Sequence, residues 1–263
     1  MKKIAFSTWC TDDYINKVGL EGLKNSLAYF HPEIPLFVYD TEKTQGLKIQ
    51  WGALAKPYFM MPLTCIDLAE GYDMVIHIDA DSTVTGPLTE LLESDEDIIG
   101  VVNNNSQGKA GRCPGITIQD IPVADFLNAG LVGSNNLQFW RDWRGLNHRY
   151  GEKFEGHEQD ILNIMAKSED FSVKILDPIG SEISYGQSNV WGTETHWDSW
   201  SLMYMKDNQL CLDDPVTEKT MVVKVLHQAG GNASIYPMRP WMDSIVADDV
   251  RDYLHIICNE RQD

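Results

Sequence analysis

The sequence lacks any apolar run approaching the about 20 residues that a membrane-crossing helix needs, so its 263 residues show no helical span. The N-terminal run Met1-Lys2-Lys3-Ile4-Ala5-Phe6 turns polar by Ser7, so the apolar stretch of a secretory signal is missing too. Cysteine is scarce: Cys10, Cys65, Cys113, Cys211 and Cys258 are odd in number and widely spaced. That excludes a disulfide framework and a zinc spacing and suits a reducing compartment, so a cytoplasmic location is expected. Positive charge is short as well, with 21 Lys and Arg against 39 Asp and Glu, a net −18. Such a surface disfavours nucleic acid and anionic membranes. A phosphate-bearing ligand would then need a metal or a few well-placed cations. The chain shows no linker, composition break or internal repeat. At 43% hydrophobic residues it is long enough to bury a core unaided. A single domain over 1–263 is expected.

Periodicity predicts an α/β protein. Lys3 to Thr8 reads as a strand. A helix starts near Thr11, with Leu20, Leu23, Leu27 and Phe30 at steps of three and four, and stops at His31-Pro32. Pro35 to Asp40 is a second strand, and strand–helix–strand spacing implies parallel pairing. Trp51 to Glu70 reads as a helix broken near Pro57 and Pro62 and closed by Gly71. Asp73 to Ile78 and Ile98 to Val102 are strands, with helical residues Leu88 to Glu93 between them. Asn103 to Ala124 reads as a long loop. Beyond it come a strand near Phe126 to Ser134, helices over Leu137 to Tyr150 and Glu158 to Lys167, and short strands near Phe171 to Leu176. A strong strand over Met221 to Leu226 and a terminal helix over Ile245 to Cys258 complete the pattern. The fold class is a doubly wound, mixed but mostly parallel sheet, whose ligands sit beyond the carboxyl ends of the strands.

Asp79-Ala80-Asp81 stands at such an end. The triplet is short and arises easily by chance, and Asp95-Glu96-Asp97 repeats it. Asp95 and Asp97 instead precede a strand and read as a solvated acidic loop. Residues two apart at a strand exit point the same way, so both carboxylates of the first triplet can reach one cation. Hard oxygen ligands suit Mg²⁺ or Mn²⁺. Two competing readings are a structural pair of exposed aspartates and a calcium loop using Asp79, Asp81, Thr83 and Glu90. Against the loop, Val84 stands where Gly is required and Pro87 lies inside it. Lys56 before Pro57 is a candidate phosphate contact. His227 follows a strong strand and precedes Gly230-Gly231, so a neutral imidazole there is a candidate third metal ligand. Tyr185, Trp191, Trp197 and Trp200 form a candidate aromatic face for a sugar.

Ile76-His77-Ile78-Asp79-Ala80-Asp81 resembles the strand and D-x-D motif of glycosyltransferases with the A-type fold. Phe126-Leu127-Asn128-Ala129-Gly130-Leu131-Val132, followed by Asn135, Asn136 and Trp140, is similar to the F-N-A-G-V segment of glycosyltransferase family 8, the group of glycogenin and bacterial lipopolysaccharide galactosyltransferases. His157 to Asn163 resembles its D-Q-D-I-L-N segment, and Val225 to Gly230 its H-x-x-G segment. The motifs occur in the family's order.

The resemblance implies a nucleotide-diphospho-sugar transferase fold, with residues 1–102 as a nucleotide-binding half and 103–263 completing the metal and acceptor sites. It implies Mn²⁺ or Mg²⁺ on Asp79, Asp81 and His227, and a nucleotide-diphosphate sugar donor, UDP-sugar favoured. Thr8, Asp13, Tyr14, Lys56 and Asp79 would hold the nucleotide. Asn128 and Ala129 would face the sugar, while Gly230 and Arg239, in Arg239-Pro240-Trp241, would meet the diphosphate. Glu158 or Asp160 would orient the sugar, and Gln159 would stabilise the anomeric carbon with retention of configuration. The acceptor is a saccharide or another hydroxyl compound. A sugar nucleotidyltransferase is the alternative, although Ser7 to Tyr14 has neither the Gly nor the Arg of its phosphate loop. A non-catalytic metal- or nucleotide-binding protein is the other.

Overall fold

The structure, a computed structural model, describes residues 2–10, 14–40, 60–103, 112–113, 116–117, 121–151, 154, 157–178, 180–185, 201–214, 217–227 and 246–259. In chain order the elements are β1 (Ile4–Trp9), α1 (Tyr14–Phe30), β2 (Leu36–Tyr39), α2 (Met60–Ala69), β3 (Met74–Ile78), β4 (Ser82–Val84) and α3 (Thr89–Leu92). Then follow β5 (Ile98–Val102), β6 (Arg112–Cys113), β7 (Ile116–Thr117), β8 (Leu127–Ser134), α4 (Leu137–Tyr150), α5 (His157–Lys167) and β9 (Val173–Ile175). The last are β10 (Ile183–Tyr185), β11 (Tyr204–Lys206), β12 (Gln209–Asp213), β13 (Thr220–His227) and α6 (Asp248–Cys258). They group into two compact units, each assembled from three separate stretches of chain. No helix among the described residues is long and apolar enough to cross a membrane.

The first unit comprises Met1–Thr11, Pro35–Ile78 and Glu90–Leu176. Its six-stranded sheet has the order β2-β1-β3-β8-β5-β9. β1 pairs parallel with β2 and β3, and β5 parallel with β9, while β8 runs antiparallel between β3 and β5. This is the mixed, mostly parallel sheet that the sequence predicts. β3, β5 and β8 are buried along their whole length, which is why β3 and β5 read as near-continuous apolar runs rather than alternating ones. α2 is buried at eight of its ten positions, so it is apolar nearly all round. Pro62 is its third residue, inside the first turn, where a missing amide costs no helical hydrogen bond. Of the expected breaks near Pro57 and Pro62, Pro57 lies outside the described residues, as does all of 51–59, and Pro62 lies within α2. α4 begins at Asn136, whose side chain accepts a hydrogen bond from the Gln138 amide. Trp140 and Trp143 of α4 stack within the core, with ring centroids 5.8 Å apart.

The second unit comprises Asp12–Ile34, Asp79–Thr89 and Asp177–Asp263. Its sheet has the order β10-β13-β12-β11, with β4 also on β13. β12 pairs with the first part of β13 and β4 with the last part. Leu210, Leu212, Met221, Val223 and Leu226 pack with Val250, Leu254 and Ile257 of α6, and Tyr29 and Phe30 of α1 close on this core. β11 and β12 form a hairpin closed by Asp207 and Asn208, both at positive φ, 50° and 61°. Asp and Asn tolerate that conformation, so Asp207-Asn208 is a turn signal legible in the sequence.

Candidate functional site

Asp79 directly follows Ile78, the last residue of β3. The Ser82 amide donates to the Asp79 carbonyl at 3.1 Å, so the two acids occupy a tight turn rather than an extended strand end. β4 leaves this turn antiparallel to β13, with Thr83 opposite Leu226 and Ser82 opposite His227. That register carries the imidazole to the acids. His227 Nε2 is 3.3 Å from Asp79 Oδ2 and 3.3 Å from Asp81 Oδ1. One donor atom from each of the three residues lies within 4.8 Å of the others. His227 is buried, Asp81 nearly so, and the Asp79 side chain is 37% exposed. Burial alone would lower the imidazole's pKa, but the Asp81 charge and hydrogen bonds to both aspartates outweigh it and raise it to about 10. Two carboxylates and an imidazole make an oxygen-rich donor set with one nitrogen, which fits Mn²⁺ or Mg²⁺. Thr83 sits in a strand and is buried, unlike a residue of a calcium loop.

A second group forms inside the first unit. β5 and β8 slip register between Gly100 and Val101, whose partners are Val132 and Asn128. β8 therefore bulges over Ala129, Gly130 and Leu131. Bulges redirect backbone and side chains, and here the Asn128 Oδ1 accepts from the Gly130 amide at 2.7 Å. The Ala129 amide donates to Gln159 Oε1 at 3.1 Å. A backbone N–H can only donate, so the Gln159 atom facing it must be the oxygen. The Gln159 Nε2 is left as its outward donor. Asn163, one turn further along α5 and fully buried, donates from Nδ2 to the carbonyls of Leu127 and Gln159. Its Oδ1 accepts from the Leu127 amide at 2.5 Å. One side chain thus ties α5 to β8, and its i, i+4 spacing from Gln159 is the sequence signal that points to it.

The remaining expected residues divide clearly. Thr8 lies in β1, fully buried, with an Oγ1 that has no hydrogen-bond partner among the described residues. Glu158 is half-buried, and its carbonyl accepts from the Trp143 indole at 2.9 Å. Asp160 is completely buried. Asp13, Lys56, Gly230 and Arg239 lie outside the described residues, as does the side chain of Tyr14. Tyr185 is fully buried in β10, so it packs rather than offering an aromatic face. Trp191, Trp197 and Trp200 lie outside the described residues. Asp97 corrects the reading of its triplet as a merely solvated loop. Its Oδ2 accepts from the Ser172 amide at 2.9 Å and the Ser172 hydroxyl at 2.8 Å, and its Oδ1 from Asn136 Nδ2 at 2.8 Å. Those bonds, the Ser172 amide first, hold its pKa below the ordinary carboxylate value.

No family model matches the sequence, and no curated protein matches it. Among solved structures, the bifunctional glycosyltransferase WbbM is similar at a TM-score of 0.57 and 15% identity, over 98% of this chain and 50% of that one. The galactosyltransferase LgtC, solved with donor and acceptor sugar analogues, is similar at a TM-score of 0.53 and 18% identity, over 97% of this chain and 95% of that one. An active-site variant of LgtC, with glutamine replaced by glutamate, gives the same TM-score and identity. This chain thus spans half the length of WbbM and nearly all of LgtC. The likeness shows the fold, that of A-type glycosyltransferases.

Proposed function

We propose that this chain, acting as one domain over 1–263, transfers a sugar from a nucleotide-diphosphate sugar to a hydroxyl acceptor with the help of a divalent cation. The observation that carries the reading is the convergence of Asp79, Asp81 and His227 on one point, in a fold shared with glycosyltransferases. Bound Mn²⁺ or Mg²⁺ would supply Lewis-acid stabilisation of the diphosphate leaving group, worth several kcal/mol in the transition state. Asp79 and Asp81 hold the cation through their carboxylates. His227 must first give up the proton that those carboxylates stabilise. Two carboxylates and a protonated imidazole leave a net −1 in the cation-free protein, so a dianionic diphosphate entering a chain of net charge −18 needs the cation's positive charge.

The sugar end of the reading rests on the bulge of β8 and on α5. Gln159 is braced by the Ala129 amide through Oε1, so its Nε2 is the group free to donate to an oxygen of the donor sugar. Asn128, with Oδ1 engaged by the Gly130 amide, likewise presents Nδ2. Neither amide is a base strong enough to activate a hydroxyl, which favours retention of the donor's anomeric configuration. The likeness in fold to LgtC, solved with donor and acceptor sugar analogues, supports a sugar donor and a sugar acceptor as substrates.

The test is incubation with a panel of nucleotide sugars, UDP-sugars first, with Mn²⁺ and with chelator, followed by mass spectrometry. Release of nucleoside diphosphate that stops on chelation is the expected result. Pyrophosphate release would make the chain a nucleotidyltransferase, and no change with any donor would reject catalysis. Proton NMR of the fresh product reads the anomeric outcome.

A further inference from the structure

We propose that helix α1 sets the position of the Asp79–Asp81 turn, with Gly19 and Ser26 as positioning residues for the cation site. The inference rests on the metal reading of Asp79, Asp81 and His227. Gly19 is the sixth residue of α1, inside the helix, where glycine weakens a helix relative to alanine. Its reason is visible on the neighbouring turn. A Cβ at position 19 would stand 2.8 Å from the Ala80 carbonyl oxygen and 3.0 Å from the Asp81 Cα. Both are backbone atoms, unable to rotate aside, so the helix backbone rests directly on the turn that carries the acids. Gly145 of α4 is the contrast: a Cβ there meets nothing within 4 Å.

Ser26 makes the second contact. It lies two helical turns after Gly19, on the same face, and is fully buried. Its Oγ accepts from the Val84 amide at 3.0 Å, fastening the end of β4. The short segment from Asp79 to Val84 is thus held by α1 at Ala80–Asp81 and at Val84. Its strand edge is held by β13, the strand that ends in His227. The helix side and the strand side together decide where Asp81 stands relative to the imidazole. Metal–ligand distances tolerate deviations of only about 0.2 Å. A side chain at position 19 forces helix and turn apart, because a contact of 2.8 Å between carbon and a carbonyl oxygen is not one real Cβ atoms adopt.

The experiment is a Mn²⁺ titration of the purified full chain, read by electron paramagnetic resonance, with thermal melting of the same samples. Gly19→Ala is expected to weaken Mn²⁺ binding at least about tenfold, the scale of losing an outer-shell partner. Ser26→Ala shifts it the same way by less. Gly145→Ala, the control, binds as the wild type does. A purely structural role would lower the melting temperature and leave Mn²⁺ affinity unmoved; that result in folded Gly19→Ala overturns the proposal. Where Gly19→Ala does not fold, Ser26→Ala decides: reduced affinity supports the proposal and wild-type affinity overturns it. Wild-type protein that binds neither Mn²⁺ nor Mg²⁺ rejects the metal reading itself, and the inference with it.

Discussion

Asp79-Ala80-Asp81 and Asp95-Glu96-Asp97 share one spacing of carboxylates, yet the protein uses them in opposite ways. In the first, both acids meet one buried histidine, Asp79 through Oδ2 and Asp81 through Oδ1, each 3.3 Å from its Nε2. In the second, Asp97 spends both oxygens on Ser172 and Asn136 of its own unit, and Asp95, 80% exposed, pairs with Lys2. A carboxylate saturated by backbone and side-chain donors is a brace. One that shares an imidazole with a second carboxylate is a ligand in waiting. The difference lies in what each triplet faces, since the flanking aspartates are common to both.

The largest expected effect falls on the first triplet. Asp81→Asn should weaken Mn²⁺ binding by at least about 100-fold, beyond the loss of an outer-shell partner, and stop donor cleavage. It should lower the melting temperature of the cation-free protein at neutral pH, because the charge that holds the proton on buried His227 is removed, while the fold stays intact. Retained Mn²⁺ binding in that variant would erase the distinction between the triplets.

Next comes pH. His227 holds its proton up to about pH 10 in the cation-free protein, so each bound cation must displace one proton. Mn²⁺ affinity should climb about tenfold per pH unit through the neutral range. A flat profile would mean the imidazole is not a ligand. The stability consequences of the two triplets have opposite signs. The folded pKa of His227 is raised, so its pairing stabilises fully below the ordinary value of 6.5 and is lost as pH rises through about 10. The folded pKa of Asp97 is lowered, so its bonds stabilise above the ordinary carboxylate value and are lost as pH falls through the folded one. Melting curves of the cation-free protein, compared with His227→Ala and Asp97→Ala, separate the two windows.

Asp97→Ala itself should cost about 1 kcal/mol, discounted because the group is partly solvated, which lowers the melting temperature by about 2–4 °C. Its Mn²⁺ affinity should equal that of the wild type. Loss of Mn²⁺ binding there, with Asp81→Asn unaffected, would assign the metal to the wrong triplet. Asp95→Asn is the smallest change expected, with stability within about 0.5 kcal/mol and no effect on the metal. A larger loss would show that the Lys2 pair matters more than an exposed ion pair should.

Much of the frame was legible in the residues. The buried runs at Asp73–Ile78 and Ile98–Val102, the helix over Leu137–Tyr150 and the strand before His227 appear almost where periodicity puts them, because each is long or wholly apolar. Short elements fared worse. β4, β10, β11 and β12 were not anticipated, since three to five residues carry too little pattern to separate a strand from a loop. The bond from the Ala129 amide to Gln159 Oε1 is likewise illegible in the residues, because nothing in a linear segment foretells a contact across to a bulged strand.

By itself, the sequence determined where the strands and helices of the mixed sheet would run and that an acidic turn would close β3, because apolar periodicity and backbone preference act locally. Only the tertiary structure decided which acids would converge with a histidine. The register of β4 on β13 brings His227 to Asp79 and Asp81, and Ser172 with Asn136 captures Asp97. Strand register is set by which faces can be buried together, and a slip of one residue would turn the imidazole away from the acids. Gly19 belongs to the same class: its value lies in a neighbour 2.8 Å away that the chain reaches only when folded.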